Sequence, residues 1–322
     1  MKRFTKFLLT SALLALSLNA SAAFMRGDIN NDGVVNITDV TQLIDYLLTT
    51  TVDAHIATLD VNGDNLITIS DVTTLVNYLL TDNWGDELPL VTEVFTVNGV
   101  SFTMVFVEAG TFTMGATDEQ LDVALPDEFP AHEVTLTFDY YMGQTEVTRE
   151  LWLAVMGKLP DGNENNLHCP VTNVNRFECA IFVDYLTQMT GRVFRMPTEA
   201  EWEYAARGGK YSHGYRYAGS SNVNEVAWYN TGGYAYPVAC KAPNELGLYD
   251  MSGNVSEWCQ DWYVQYDSAP QTNPIGPESG QNNVHRGGSW LQPATLCRVS
   301  SRFNLNPYKG TEDLGLRLVM NP

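Results

Sequence analysis

The chain has 322 residues, 44% of them hydrophobic, with 38 Asp and Glu against 18 Lys and Arg and a formal net charge of −20 at pH 7. That length and apolar content allow one large core plus a small module. The acid excess disfavours nucleic acid and anionic membrane surfaces as partners.

Lys2, Arg3 and Lys6 precede the apolar stretch Phe7 to Leu18, and the small residues Ala20, Ser21, Ala22 and Ala23 follow it. This pattern predicts an export signal over residues 1–23. The stretch is too short to span a bilayer and no later run is long enough, so no membrane span is expected, and the product is read as secreted or cell-surface associated. Five cysteines then meet an oxidising compartment: Cys169, Cys179, Cys240, Cys259 and Cys297. An odd number leaves at least one free, metal-bound or intermolecular, and the sequence does not fix the pairs.

Residues 24–83 hold an internal repeat in which Asp28 to Leu48 aligns on Asp60 to Leu80. Each copy opens with oxygen donors at loop positions 1, 3, 5, 7, 9 and 12, the spacing that wraps a hard calcium ion. In the first copy these are Asp28, Asn30, Asp32, the Val34 carbonyl, Asn36 and Asp39; in the second they are Asp60, Asn62, Asp64, the Leu66 carbonyl, Thr68 and Asp71. Gly33 and Asn65 suit the sharp turn at position 6. Val40, Leu43, Ile44 and Leu47, and likewise Val72, Leu75, Val76 and Leu79, then mark one apolar helical face each. One loop and one helix are too small to fold alone, so pairing and metal are both required. The duplicated loop-helix unit, with Asp at position 12, resembles a type I dockerin, a small all-α EF-hand-like module. The resemblance implies docking onto a cohesin-bearing scaffold, with loop positions 10 and 11 (Ile37 and Thr38, Ile69 and Ser70) facing the partner. Residues 84–90, with Gly85 and Pro89, read as a linker.

From residue 91 onward the chain reads as one α+β domain. Asn98-Gly99 between two β-type runs predicts a hairpin. Thr148 caps a helix through Met156, and Asn175 opens another that Gly191 stops. Phe177, Ile181, Tyr185 and Leu186 form its expected inward face. Thr198 and Glu201 form a capping box on a third helix ending at Gly208. Glu199, Glu201 and Glu203 are given structural roles, met by that cap, by solvent or by arginine. His132 is read as structural. Beyond residue 210, Gly, Asn, Tyr and Trp dominate and long elements give way to loops that need fasteners.

Gly110 to Gly115, Pro130 to Leu136, Arg195 to Gly209, Asn244 to Trp258 and above all Arg286-Gly287-Gly288-Ser289-Trp290, with Cys297, Arg298 and Arg302, resemble the formylglycine-generating enzyme (sulfatase-modifying factor) family. That resemblance covers residues 91–322 and implies a loop-rich fold of the C-type-lectin kind. It also implies structural calcium, one ion ringed by Asn254, Glu257 and the Gly253 and Val255 carbonyls, and another by Asn222, the Val223 carbonyl and groups near Asn230 to Tyr234. Catalytic members hold copper(I) between two cysteines of the signature tract and oxidise a cysteine of a client sulfatase. Here the first position is Gln292 and the second Cys297, the one candidate catalytic residue.

Copper(I) is soft and wants thiolates, so an amide at position 292 removes half the donor set and copper(I) is not expected. Cys259 is the candidate second sulfur, and a Cys259–Cys297 disulfide is its rival. The favoured expectation is a non-catalytic, calcium-stabilised binding or scaffold domain in an extracellular, polysaccharide-degrading assembly. Its ligand would be a glycan or a sulfatase client, held in a pocket lined by Trp228, Tyr229, Trp290 and Arg302. The alternative is a divergent formylglycine-generating oxidase.

Overall fold

A computed structural model describes residues 27–30, 32, 34–49, 59–61, 67–81, 91–162 and 165–322. The export segment 1–23, the linker 84–90, Gly33, Asn62, Asp64, Asn65 and Leu66 lie outside the described residues. The chain divides into two units after Leu88. No helix among the described residues is long and apolar enough to cross a membrane.

In the first unit, α1 (Ile37–Thr49) and α2 (Ile69–Thr81) carry the apolar stripes of the repeat. Leu43 and Leu75 are buried at equivalent places, with Ile29, Val40, Leu59, Val61 and Val72 around them. The two copies therefore cover each other's apolar faces, which neither could bury alone. Asp39 and Asp71, the last loop positions, are fully buried at the helix starts. Asp39 Oδ1 accepts from the Ile29 amide at 2.8 Å, and its Oδ2 accepts from the Asn36 amide at 2.8 Å. Asp71 Oδ2 accepts from the Thr68 amide in the same way at 2.7 Å.

The second unit is built on three sheets. In the first, β1 (Thr92–Val97), β2 (Val100–Val107), β5 (Tyr140–Gly143), β12 (Val319–Met320) and β6 (Phe194–Arg195) lie side by side in that order. Asn98 and Gly99 take φ values of 49° and 85°, the left-handed pair that a tight hairpin between β1 and β2 demands. The second sheet runs β10 (Arg302–Leu305), β9 (Asn283–Arg286), β7 (Ser256–Trp262), β11 (Leu314–Gly315), and the third β3 (Gly110–Met114), β4 (His132–Leu136), β8 (Gln271–Thr272).

Three helices start where their caps place them. Thr148 accepts from the Leu151 amide ahead of α3 (Arg149–Met156), and Asn175 accepts from the Phe177 and Glu178 amides ahead of α4 (Arg176–Thr190), which ends on left-handed Gly191. Thr198 and Glu201 close a capping box on α5 (Glu199–Ala206), which stops at Arg207 with Gly208 at φ 92°. The inward face of α4 is not the expected one. Cys179, Phe182, Val183 and Leu186 are buried, whereas Phe177, Ile181 and Tyr185 are 40–46% exposed. Both stripes obey helical periodicity, and the buried one includes a cysteine, which packs as a small hydrophobe.

Candidate functional site

The signature tract lies across the middle of the second unit, and ion pairs set its path. Arg286, in β9, reaches Glu203 and Glu199 of α5 and donates to the Val299 and Ser300 carbonyls. Arg298 forms a two-point pair with Glu128 at 2.5 and 2.6 Å. Arg302 holds both oxygens of Glu199 at 2.8 and 2.7 Å and stacks 3.7 Å over the Tyr266 ring. Glu201 pairs with Arg195 and Glu203 also with Arg207. All three α5 carboxylates are thus met by arginine. Burial raises the Glu128 carboxyl, but hydrogen bonds from Arg298 and Ser300 outweigh it and hold the group below its usual range.

Cys297 sits at the centre of this tract, fully buried against Tyr217 and Val226, with Tyr229 packed alongside. Its Sγ faces the Ser289 and Pro293 carbonyls at 3.9 and 3.8 Å, and burial pushes the thiol up to about 12, so it is neutral at physiological pH. Gly288 presses on it: a Cβ there would stand 2.9 Å from Sγ and 2.6 Å from the Leu296 carbonyl oxygen. Cys259 packs in a different core cluster from Cys297 and both are free thiols, so Cys259 is not the second sulfur beside Cys297 and the rival Cys259–Cys297 disulfide is not formed. The Gln292 Oε1 is buried without a hydrogen-bond partner. One neutral thiol among carbonyl oxygens does not fit copper(I), which needs a set of soft thiolates.

Beside the tract runs an open cleft of about 410 Å³ lined by Asn224, Trp228, Tyr229, Asn230, Tyr236 and Lys241, among others. Its floor is tied to the signature: the Asn230 amide donates to the Gln292 carbonyl at 3.0 Å and the Thr231 amide to the Trp290 carbonyl at 2.9 Å. Trp228 and Tyr229 therefore share a cleft. Arg302 lies in a separate pocket with His132, Glu199, Asp261 and Tyr266, and Trp290 is buried. The single pocket expected from these four residues is not formed, because Arg302 is held by Glu199. His132 stays structural, its Nδ1 3.1 Å from the Pro130 carbonyl and its ring edge-on to Tyr266.

The fastener at Asn254 differs from the expected ring. Glu257 gives both carboxylate oxygens to Arg317 and one to Trp202 Nε1 at 2.6 Å, so its charge is already met by a guanidinium. Asn254 turns to Glu146, donating to Oε2 at 3.1 Å, while the Val255 amide donates to Oε1 at 3.1 Å. Gly253 lets this turn touch Trp228, whose carbonyl oxygen would lie 2.4 Å from a Cβ. Near Glu146 stands Asp250, held by the Ala239 amide at 2.7 Å through Oδ2, with Oδ1 buried and without a hydrogen-bond partner. Burial first, then the charges of Asp250 and Glu257, raise Glu146 well above its usual range, and burial brings Asp250 to about 6. Two buried carboxylates, one of them with an orphaned oxygen, suit a hard cation such as calcium. Sequence reasoning missed Glu146 and Asp250, which stand far apart in the chain; the one local signal is Asp250 at φ 58°. At the other expected ring, Asn222 caps α6 (Val223–Val226) by accepting from the Asn224 amide and donates to Glu225.

The large domain mixes helices with short curled sheets, and its structural neighbours are formylglycine-generating-enzyme-like proteins. Residues 96–322 match the sulfatase-modifying factor enzyme 1-like domain and residues 26–80 the dockerin type I domain. The chain belongs to the sulfatase-modifying factor family and carries a dockerin type I domain ahead of the family domain. Dockerin domains generally bind calcium and typically bind cohesins. Chaperone protein LppX of Paenibacillus barcinonensis is 31% identical, over 68% of this chain and 90% of that protein. The formylglycine-generating enzyme of Mus musculus is 29% identical, over 66% of this chain and 74% of that enzyme. Among solved structures, Treponema denticola variable protein 1 is 34% identical with a TM-score of 0.64, covering 72% of this chain and 99% of that one.

Proposed function

We propose that the protein is an exported, dockerin-borne binding domain that has kept the family's scaffold and lost its copper chemistry. The observation that carries this reading is the isolation of Cys297: a buried, neutral thiol, with glutamine where the resemblance puts the second sulfur. The cleft beside Gln292 remains open, so binding survives where oxidation does not. The 1–23 segment supports export, and the loop-rich domain is read as C-type-lectin-like. Calcium would be held in the dockerin by Asp28, Asn30, Asp32, Val34, Asn36 and Asp39, and by Asp60, Asn62, Asp64, Leu66, Thr68 and Asp71. In the large domain Glu146, Asp250 and Asn254 would hold another ion, which would neutralise two carboxylates and pin the turn under Trp228. Ile37 and Ile69, 69% and 70% exposed at equivalent places in the repeat, offer a cohesin two matching apolar contacts. Such a protein would sit in an extracellular, polysaccharide-degrading assembly.

The names of relatives favour a second reading, a divergent formylglycine-generating oxidase acting on a sulfatase. Calcium-loaded full-length protein incubated with copper(I), dioxygen and a cysteine-containing sulfatase peptide separates the two. Mass spectrometry should find the peptide cysteine unchanged; an aldehyde product that disappears in Cys297→Ala overturns the binding-domain reading.

A further inference from the structure

We propose that the cleft beside Gln292 binds a saccharide carrying one anionic substituent, a carboxylate or a sulfate; this rests on reading the large domain as a binding module. The lining decides the chemical class. It offers the rings of Trp228, Tyr229 and Tyr236, the amides of Asn224 and Asn230, and the ammonium of Lys241. Ala227 is the one aliphatic side chain of the lining besides the Thr231 methyl, among the described residues, so a lipid tail or an apolar peptide side chain has little to pack against. A sugar ring presents a C–H face to aromatic rings and hydroxyls to amides, and it finds both here.

The groups are held in place before any ligand arrives. Trp228 stacks on Tyr236, whose ring lies 3.9 Å away and within 9° of parallel, and the Lys241 Nζ stands 4.2 Å from the indole centroid. Tyr229 donates its hydroxyl to Asn224 Oδ1 at 2.9 Å, and Lys241 donates to the Asn224 carbonyl at 2.6 Å. Tyr234, exposed at the rim, leans on Tyr236 at 5.5 Å and extends the aromatic surface outward. Side chains already ordered lose little entropy on binding.

Charge narrows the ligand further. Lys241 is the one formally charged side chain of the lining, among the described residues, in a chain of net charge −20. A single anion is drawn to that ammonium. A densely charged polymer would bring most of its charges against an acidic surface within a screening length of ~8 Å.

Titration calorimetry on the calcium-loaded full chain tests this with a matched set: cellobiose, cellobiouronate and cellobiose monosulfate. At least one anionic sugar should bind about tenfold more tightly than cellobiose, the effect of one charged hydrogen bond. Which anion prevails assigns carboxylate or sulfate. Lys241→Gln should abolish the difference between the anionic sugars and cellobiose, and Tyr236→Ala, checked for an unchanged thermal melt, should weaken all three. Equal affinity for neutral and anionic sugars, or no saturable heat with any of them, overturns the proposal. If no sugar binds and no aldehyde forms in the copper assay, this inference fails alone; aldehyde formation removes the reading beneath it.

Discussion

Arg298 and Glu128 face each other across the interior with no exposure on either side chain, joined by two hydrogen bonds of 2.5 and 2.6 Å. Ser300 adds a third to the same carboxylate at 2.6 Å. The pair fastens the segment after Cys297 to the 3-10 turn Pro126–Glu128.

Breaking one half of such a pair leaves a buried charge alone, which costs roughly 3–5 kcal/mol, whereas replacing both halves by apolar groups is often close to neutral. Arg298→Met and Glu128→Leu should each lower the midpoint of urea unfolding sharply. The Arg298→Met, Glu128→Leu double variant should recover much of the loss. A double variant as unstable as the two singles added together would show that the pair is not one unit.

Asp250 and Glu146 give a prediction about metal. Atomic emission on the purified chain after calcium dialysis should count one ion fewer in Asp250→Asn than in the wild type. The buried Oδ1 of Asp250 then becomes an amide group without charge, and Glu146 alone is too weak a cage for a hard cation. Chelation should lower the melting temperature of the wild type more than that of the variant. An unchanged ion count in Asp250→Asn would remove calcium from this cluster.

Local signals in the sequence located the ends of elements. Thr148, Asn175 and Thr198 cap helices because their side-chain oxygens satisfy amides within three residues, and Asn98-Gly99 turns because both residues tolerate positive φ. The duplicated unit was legible for the same reason, its donors and stripe lying within one short segment. What escaped depends on distant partners. β12 enters the first sheet between β5 and β6, far from either in sequence. The face of α4 could not be chosen between two periodic stripes without knowing what α4 packs against. The turn to Glu146 instead of Glu257 was equally hidden, because Arg317, which claims Glu257, comes sixty residues later.

In the small unit, Asp39 ties the start of the first loop to the start of α1 through the Ile29 and Asn36 amides. Asp39→Ala should therefore remove a charged calcium donor and three backbone hydrogen bonds together, those from the Ile29, Asn30 and Asn36 amides. Far-ultraviolet circular dichroism of the full chain should show a smaller calcium-induced gain in helix for Asp39→Ala than for the wild type, and Asp71→Ala should behave alike. A wild-type response in either variant would count against metal-coupled folding of the repeat.

Asp261 predicts a pH dependence whose sign follows from its surroundings. Burial, reinforced by the Glu199 carboxylate, brings its carboxyl up to about 7, above the ordinary value near 3.8. The folded protein thus holds a proton that the unfolded chain releases, and this contribution is complete below about pH 4 and lost as pH rises through 7. Asp250 acts in the same sense up to about 6 while no metal is bound. His285 acts oppositely: burial lowers it to about 4, so its contribution is lost as pH falls from 6.5 towards 4. Asp261→Asn keeps an acceptor for the Glu199 amide, which Asp261 Oδ2 now receives at 2.8 Å, and removes the ionisable group. Its melting temperature should exceed that of the wild type at pH 8 and match it at pH 4. Equal melting temperatures at pH 8 would mean that Asp261 ionises freely, and its burial beside Glu199 would carry no energetic penalty.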